Sequence, residues 1–524
     1  MGTVDRERGL VAEMPDGTRL VADAWHPSGA GRWPVLLQRL PYGRAVASSP
    51  VLPSPMQLAR LGYAVVVQDV RGRGDSDGVF VPFANEAADG AATIEWAAGL
   101  PFSNGDVITY GYSYQGLAQL LAAARRPPQL RGVAAMMCGC EPYEGWTYLG
   151  GCLQWSFAAT WACQLMAQEP GAVPSAPHFD ALPSVTAVGT DAPSWWLDWL
   201  AHPTFDEYWR ALTPDLAAID VPVFTVLGYF DQFSAATARL VVATGAEVVC
   251  GPWAHMPWGT RAGDVELGEA AGPRTAIEAF LAFVARVASG GSAPRHRARW
   301  APLGDARWRA AEAWPPPAQR RRWWATSTTG ANSRHGDGRL SPAEAAAPLA
   351  EAVGPPAEAA APLAEVLVSE PLVPVPGDLV PLEDASAAED RRDVLCYTSD
   401  PLTAPLHIAG SPVATVSAAA DSPTFDIVVS LVAVDAGGTA RRLVTGALRA
   451  RSSAVDAVRI ELGPVAWVAS PGERVRLEVS ASRFPLFDRN PQSAAAVVPL
   501  VARDGYRVAT IEVTSVSVEL PVVD

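Results

Sequence analysis

Ser113 stands in the run Val107-Ile108-Thr109-Tyr110-Gly111-Tyr112-Ser113-Tyr114-Gln115-Gly116, followed by a helical stretch at 117–124. A β-branched apolar segment, a tight turn and a helix form the setting in which a serine is held at a turn tip as a nucleophile. Such a turn crowds its neighbours, and Gly111 sits two residues before the serine, where room is needed. The next glycine comes three residues after the serine, not two, so the simple G-x-S-x-G pattern is missed. The same residues also suit an ordinary strand-to-helix turn whose serine caps the helix.

A serine alcohol needs a base to attack a carbonyl, and the base needs a carboxylate to orient it. In the strand-turn-helix setting the chain order is Ser, then Asp or Glu, then His, each just past a strand. Of seven histidines, His26 precedes the serine, His178 and His202 lie in a helical insertion, and His296, His335 and His407 fall beyond the α/β part. His255 alone follows a late strand, in Val248-Val249-Cys250-Gly251-Pro252-Trp253-Ala254-His255. The preceding strand, Val223-Phe224-Thr225-Val226-Leu227-Gly228-Tyr229-Phe230-Asp231, ends on Asp231. Order, strand position and elimination select Ser113, Asp231 and His255.

Acyl transfer also needs donors for the tetrahedral oxyanion. The backbone N–H of Tyr114 is one; the loop Leu40-Pro41-Tyr42-Gly43-Arg44 offers the phenol of Tyr42 as a second, or simply a packing tyrosine. Other motifs argue against other chemistries. The glycines of Asp69-Val70-Arg71-Gly72-Arg73-Gly74-Asp75-Ser76-Asp77-Gly78 do not fit a dinucleotide loop, its acids lack the rest of a calcium loop, and a structural turn is the better reading. Cys138-Gly139-Cys140 has neither zinc nor redox spacing and reads as part of a buried strand. The expectation is no metal and no cofactor.

The elements that must hold these residues are strands alternating with helices. Runs at 35–37, 64–67, 107–109, 223–227 and 247–250 suit strands buried on both faces, with a helix at 86–98. Between about 144 and 217 the strand signal vanishes, and seven of the 18 tryptophans gather there: Trp146, Trp155, Trp161, Trp195, Trp196, Trp199 and Trp209. This reads as a helical cap with an aromatic interior. After about 295, short alternating runs such as 474–480 and 506–519 indicate an antiparallel sandwich. Within it Ala-Glu-Ala-Ala-Ala-Pro-Leu-Ala-Glu occurs twice, at 343–351 and 357–365, and a mobile surface loop is expected at about 341–366.

The 524 residues fit about three domains, and 49% apolar with 18% charged residues is a globular composition. The formal charge of -15 argues against nucleic-acid partners. All 40 cationic side chains are arginine, so Schiff-base and P-loop chemistries that need lysine are excluded. Six cysteines in apolar surroundings suggest free thiols in a reducing compartment. Acids in the first twenty residues do not suit a signal peptide, and no run reaches the ~18 apolar residues of a membrane span. A cytoplasmic protein without membrane partners is expected.

The quoted motifs together resemble the CocE/NonD group of serine hydrolases, bacterial cocaine esterase-like proteins related to the X-Pro dipeptidyl-peptidase S15 family, to α-amino-acid ester hydrolases and to glutaryl acylases. The likeness runs from Met14-Pro15-Asp16-Gly17-Thr18 through Arg39-Leu40-Pro41-Tyr42, Asp69-Val70-Arg71-Gly72-Arg73-Gly74, the Ser113 turn and Gly251-Pro252-Trp253-Ala254-His255. It continues to Tyr397-Thr398-Ser399-Asp400-Pro401-Leu402 and Phe484-Pro485-Leu486-Phe487-Asp488-Arg489-Asn490-Pro491. The resemblance implies an α/β-hydrolase core (1–143 and 218–292), a helical cap (144–217) and a C-terminal jelly roll (293–524). It also implies Ser113 as nucleophile, His255 as base, Asp231 as its partner, and Tyr42 with the Tyr114 amide as oxyanion hole. Where the group has G-W-Y-D, this chain reads Gly228-Tyr229-Phe230-Asp231, so Phe230 is expected in the substrate pocket with Trp146, Trp155 and Trp161.

The function expected is hydrolysis of a small-molecule carboxylic ester or amide through an acyl-enzyme. Acyl transfer or cyclisation, or X-Pro dipeptidyl-peptidase activity, would use the same triad. A non-catalytic binding protein is the reading from another class, and an intact Ser, His and Asp set argues against it. A sandwich with exposed edges permits a homodimer.

Overall fold

The computed structural model describes residues 3–46, 51–169, 175–189, 191–256, 258–305, 307–342, 364–494 and 498–524. Its first sheet is built from β1 (Val4–Glu13), β2 (Arg19–Pro27), β3 (Trp33–Leu40), β4 (Ala64–Asp69) and β5 (Ser103–Tyr112). It continues with β6 (Leu130–Met136), β7 (Val223–Phe230), β8 (Glu247–Ala254), β9 (Ala298–Trp300) and β10 (Arg309–Ala311). The spatial order is β1-β2-β4-β3-β5-β6-β7-β8-β9-β10, parallel from β4 through β9 and antiparallel at both margins.

Both faces of this sheet are covered, which is why its central strands read as continuous apolar runs. Val35, Leu37 and Val107 pack on one face with Leu117 and Leu121 of α2 (Tyr114–Ala123) and Ile94 of α1 (Glu86–Ala98). Leu36 and Ile108 face the other way, in the core that holds Phe280 and Phe283 of a helix at Arg274–Ala288. The cap leaves the sheet after β6 and carries α3 (Trp155–Met166), α4 (Ser194–Ala201) and α5 (Glu207–Leu212). It also contains a two-residue ribbon pairing Tyr148–Leu149 with Cys152–Leu153, for which the sequence of this stretch carries no signal.

The last part is all β. The fourteen-residue strand Ala509–Val522 pairs antiparallel with Gln319–Thr326, Glu365–Ser369 and Val413–Ala420, while Ala440–Ala450, Phe425–Val434, Arg474–Ser480 and Val394–Thr398 form a second antiparallel series. Beyond the boundary expected at 293, β9 pairs parallel with β8 and so extends the first sheet. A three-residue strand carries no pattern that says which sheet it joins. Most of the Ala/Pro-rich loop expected at about 341–366 lies outside the described residues. The cap is fastened to the sandwich by main-chain bonds, Arg449 N–H to the Gly150 carbonyl at 2.8 Å and Trp155 N–H to the Leu486 carbonyl at 3.0 Å. Gly150 (φ +56°) must be glycine, since a Cβ there would lie 1.9 Å from the Ala447 oxygen.

Candidate active site

The parallel strands β5, β7 and β8 end on the same edge of the sheet, and each delivers one polar residue just past its last apolar position. Ser113 follows β5 with φ 62° and ψ -132°, a conformation rarely held by a residue with a Cβ, and its side chain makes no cap bond to α2. This discriminates the strained elbow from the ordinary capped turn. The neighbours explain how the strain is tolerated. A Cβ on Gly111 would come 2.6 Å from the backbone of Gln115, and one on Gly116 would come 2.8 Å from Cys138 Cβ. The Ser113 N–H donates to the Met136 carbonyl of β6 at 3.0 Å, tying the elbow to the next strand.

Asp231 follows β7 and His255 follows β8. His255 Nε2 lies 3.0 Å from Ser113 Oγ, and Nδ1 lies 2.9 Å from Asp231 Oδ1. A carboxylate only accepts, so Nδ1 carries the proton and Nε2 is left to accept from the serine hydroxyl. Asp231 is buried, and the Phe233 N–H donates to its Oδ1 at 3.2 Å. The His255 carbonyl accepts from the Tyr112 hydroxyl and, at 3.2 Å, from Trp258 Nε1. Phe233 meets the imidazole edge-on with ring centres 5.0 Å apart. The ring is thus held from its backbone, its carboxylate side and one edge.

Tyr42 stands beside this array. Trp161 Nε1–H on α3 donates to the Tyr42 oxygen at 2.9 Å. Burial pushes the phenol up to about 12, with the Ser113 hydroxyl among the groups acting on it, so Tyr42 keeps its proton and remains a donor at working pH. Arg73 holds the Tyr42 loop, its Nε donating to the Pro41 carbonyl at 2.8 Å, while its other nitrogens reach Gln168 and Glu169 just past α3 of the cap. The Asp69–Gly78 turn is a scaffold of this kind throughout: Asp69 accepts from the Arg44 backbone at 2.5 Å and from its guanidinium. Tyr114 heads α2, where first-turn amides have no acceptor within the helix, and its hydroxyl donates to Glu86 at 2.8 Å.

A cavity of about 830 Å³ opens onto Ser113, His255 and Tyr42, and its walls come from the core, the cap and the sandwich. Trp161 and Phe230 line it. Trp146 and Trp155 do not; both are fully buried behind the wall. Trp146 stacks on Phe233 at 4.8 Å and its N–H donates to the Cys138 carbonyl, while that of Trp155 reaches the Phe179 carbonyl. Their place in the pocket is therefore corrected to support of the cap interior, the commonest role for a large aromatic in a helical core. Wall residues from the sandwich, among them Arg442, Leu443 and Arg483, escape a reading of the sequence, because nothing local marks a strand residue as facing a site built by a distant element. Cys138-Gly139-Cys140 lies just beyond β6 and not in it; all six cysteines are buried and free. No group of three or more His, Cys, Asp or Glu placed to hold a metal occurs among the described residues. Nor is any helix there long and apolar enough to cross a membrane.

A parallel sheet that presents Ser, Asp and His in this order at its carboxyl edge, under an inserted cap, defines a serine hydrolase of the α/β-hydrolase class. The X-Pro dipeptidyl-peptidase (S15 family) domain matches residues 16–257, and the X-Pro dipeptidyl-peptidase C-terminal non-catalytic domain matches residues 291–500. Together these span most of the chain, which belongs to the S15-type family of serine hydrolases that includes the CocE/NonD group. It is 28% identical to a cocaine esterase of Rhodococcus sp. (strain MB1 Bresler), over 93% of this chain and 92% of that one. In fold it is similar to an aminopeptidase from a marine sediment Thaumarchaeota archaeon (TM-score 0.82, 22% identity, 100% and 97% of the two chains). An α-amino acid ester hydrolase is similar to the same degree (TM-score 0.81, 21% identity, 100% and 97%).

Proposed function

We propose that this enzyme hydrolyses a carboxylic ester or amide through an acyl-enzyme formed on Ser113. The observation that carries the reading is the continuous chain from Asp231 through His255 to Ser113, with both bonds at 2.9–3.0 Å. Ser113 Oγ attacks the carbonyl carbon as its proton passes to His255 Nε2, and Asp231 stabilises the imidazolium that forms. The oxyanion accepts from the Tyr42 hydroxyl and the Tyr114 N–H. Collapse expels the alcohol or amine, which takes the proton back from Nε2. Water then attacks the acyl group with His255 again as base, releasing the acid and restoring Ser113. The likeness to a cocaine esterase along most of both chains supports esters as the first substrates to test. Six buried, free thiols support a cytoplasmic setting.

A fluorophosphonate probe tests the assignment directly. Labelling of the folded protein, lost in Ser113→Ala and accompanied by a deep fall in ester turnover in His255→Ala, is the expected result. Folded protein that does not label, or a His255→Ala enzyme with full activity, refutes the reading.

A further inference from the structure

The rim of the cavity on the His255 side is apolar and open to water. Met256 directly follows His255 and is 51% exposed, while Leu379 and Val380 are 57% and 42% exposed. All three line the cavity that holds Ser113. A lone exposed leucine needs no explanation, but several large apolar side chains gathered in water at one cavity do.

The backbone is strained at the same place. Leu382, buried at the end of the turn 378–382, has φ +60°, a conformation rarely held by a residue with a Cβ. The turn is clamped on several sides. Arg442 bonds to Asp378, and Asp384 forms an isolated antiparallel bridge with Arg441. After His255 the chain makes a hairpin, Arg261–Ala262 against Val265–Glu266, and a Cβ on its Gly263 would lie 2.7 Å from the Pro381 carbonyl oxygen. Arg441 Nη2 donates to Asp264 of this hairpin at 3.0 Å. Asp378 and Asp264 are thus each paired with an arginine, and the exposed Glu383 is not part of the cavity wall. Strain and exposed apolar surface both cost stability, and folding alone gives neither a reason.

The acyl-enzyme mechanism gives this rim a task. The departing alcohol takes its proton from His255 Nε2, so its oxygen must lie within hydrogen-bond reach of that nitrogen. Whatever that oxygen carries then emerges beside the residues that follow His255. We propose that Met256, Leu379 and Val380 form the leaving-group subsite, and that the substrate is an ester whose alcohol carries an apolar chain or ring. This rests on the hydrolase reading above, since it concerns the alcohol expelled from Ser113.

The test varies the alcohol of butyrate esters from ethyl to heptyl, followed by pH-stat below their solubility limits. These alcohols are of nearly equal acidity, so the bond-breaking chemistry stays constant. Because kcat/KM reports acylation, each added methylene should raise it roughly twofold, which is half the logarithmic effect of full burial. Across the series that makes about 30-fold. By microscopic reversibility the same rim receives an alcohol that attacks the acyl-enzyme. Its oxygen forms the new ester bond and its proton passes to His255 Nε2, while the acyl bond to Ser113 breaks and Ser113 regains the proton. Pentanol should therefore divert butyryl-enzyme from water about eightfold better than ethanol at equal concentration, a measurement that needs no variant. In Leu379→Ser the heptyl-to-ethyl ratio should fall at least about threefold, and Leu379→Met should keep it. The ratio of methyl hexanoate to methyl acetate turnover is the control for a general loosening of the cavity. A flat alcohol series, equal capture of the two alcohols, or an equal change in the control ratio overturns the subsite. So does a Leu379→Ser enzyme that only changes its sedimentation from dimer to monomer, which marks the rim as a contact between copies. Failure of every ester to turn over, with no phosphonate labelling, strikes the hydrolase reading instead.

Discussion

Trp161 should act on catalysis through Tyr42. Its indole N–H donates to the Tyr42 oxygen at 2.9 Å, so one lone pair of that oxygen is occupied and the phenolic proton is steered away from the indole. Removing the donor itself, in Tyr42→Phe, should lower kcat by about 100- to 1,000-fold, the ~2.7–4 kcal/mol found for loss of one oxyanion donor. Trp161→Phe keeps the phenol and removes the steering bond. A neutral hydrogen bond contributes about 0.5–1.5 kcal/mol, which predicts a ~2- to 13-fold fall in kcat. The two effects should not add. Once residue 42 lacks its hydroxyl there is nothing to steer, so Trp161→Phe should leave the Tyr42→Phe enzyme no slower, and the coupling energy should equal the whole single-variant effect. The assay is kcat on a short acyl ester such as 4-nitrophenyl acetate, chosen because Trp161 also lines the cavity and a small acyl group makes least use of that wall. Thermal melts must accompany it, since the Trp161 ring stacks on Trp199 and edges against Trp195 and Trp146. If Trp161→Phe slows the Tyr42→Phe enzyme by the same factor as the parent, the indole acts by packing and the steering argument fails.

Asp231→Asn should lower kcat by about 10⁴-fold with the fold intact, because an amide at that place no longer fixes the proton on Nδ1 of His255; near-normal kcat would exclude Asp231 as its partner. Gly116→Ala should destabilise the protein by about 1–3 kcal/mol, read as a lower urea midpoint, since the new Cβ meets Cys138 Cβ at 2.8 Å and the Met136 nitrogen at 3.2 Å. Burial and the neighbouring Glu478 make Glu389 bind its proton more tightly folded than unfolded, so its favourable contribution is present below about pH 4.5 and is lost as pH rises through about 8. Glu389→Gln, which keeps the shape without the titration, should therefore lose less melting temperature than the parent between pH 6 and 9. Parallel curves would refute a protonated Glu389.

The residues proposed to do the chemistry are legible because each depends on a local rule. A serine at an elbow needs Gly111 and Gly116, and an acid and a base at a sheet edge must directly follow apolar strands; all of this is written within about ten residues of Ser113, Asp231 and His255. The cavity wall obeys no such rule. Trp146 and Trp161 share the cap, yet one is sealed behind Phe233 and the other reaches the cavity, and only the packing of α3 decides between them. Likewise Ala298–Trp300 reads as any short strand, and its pairing with β8 is a long-range fact. Arg73 reads as part of a structural turn, which it is, but no spacing rule shows that the same guanidinium joins the Tyr42 loop to the C-terminal end of α3 in the cap.

This division has a physical consequence for how the enzyme can be changed. The sheet edge fixes Ser113, Asp231 and His255 by strand register, so the barrier of the proposed acyl transfer should depend chiefly on the core elements and less on the cap and sandwich. The far wall hangs on separate supports: Arg449 joins Asp426 and Asp488 in a buried network, and Asp488 accepts from the Leu153 N–H of the cap at 3.0 Å. That network sets where Leu486 and Phe487 stand without touching the triad. Substitutions at 442–445 or 486–487 should accordingly move KM and substrate preference much more than the rate of Ser113 acylation by a small ester, which meets only the sheet edge. The same architecture makes the Arg449 network a poor place for change, because removing one partner leaves a buried charge unpaired and loosens the cap and the wall together.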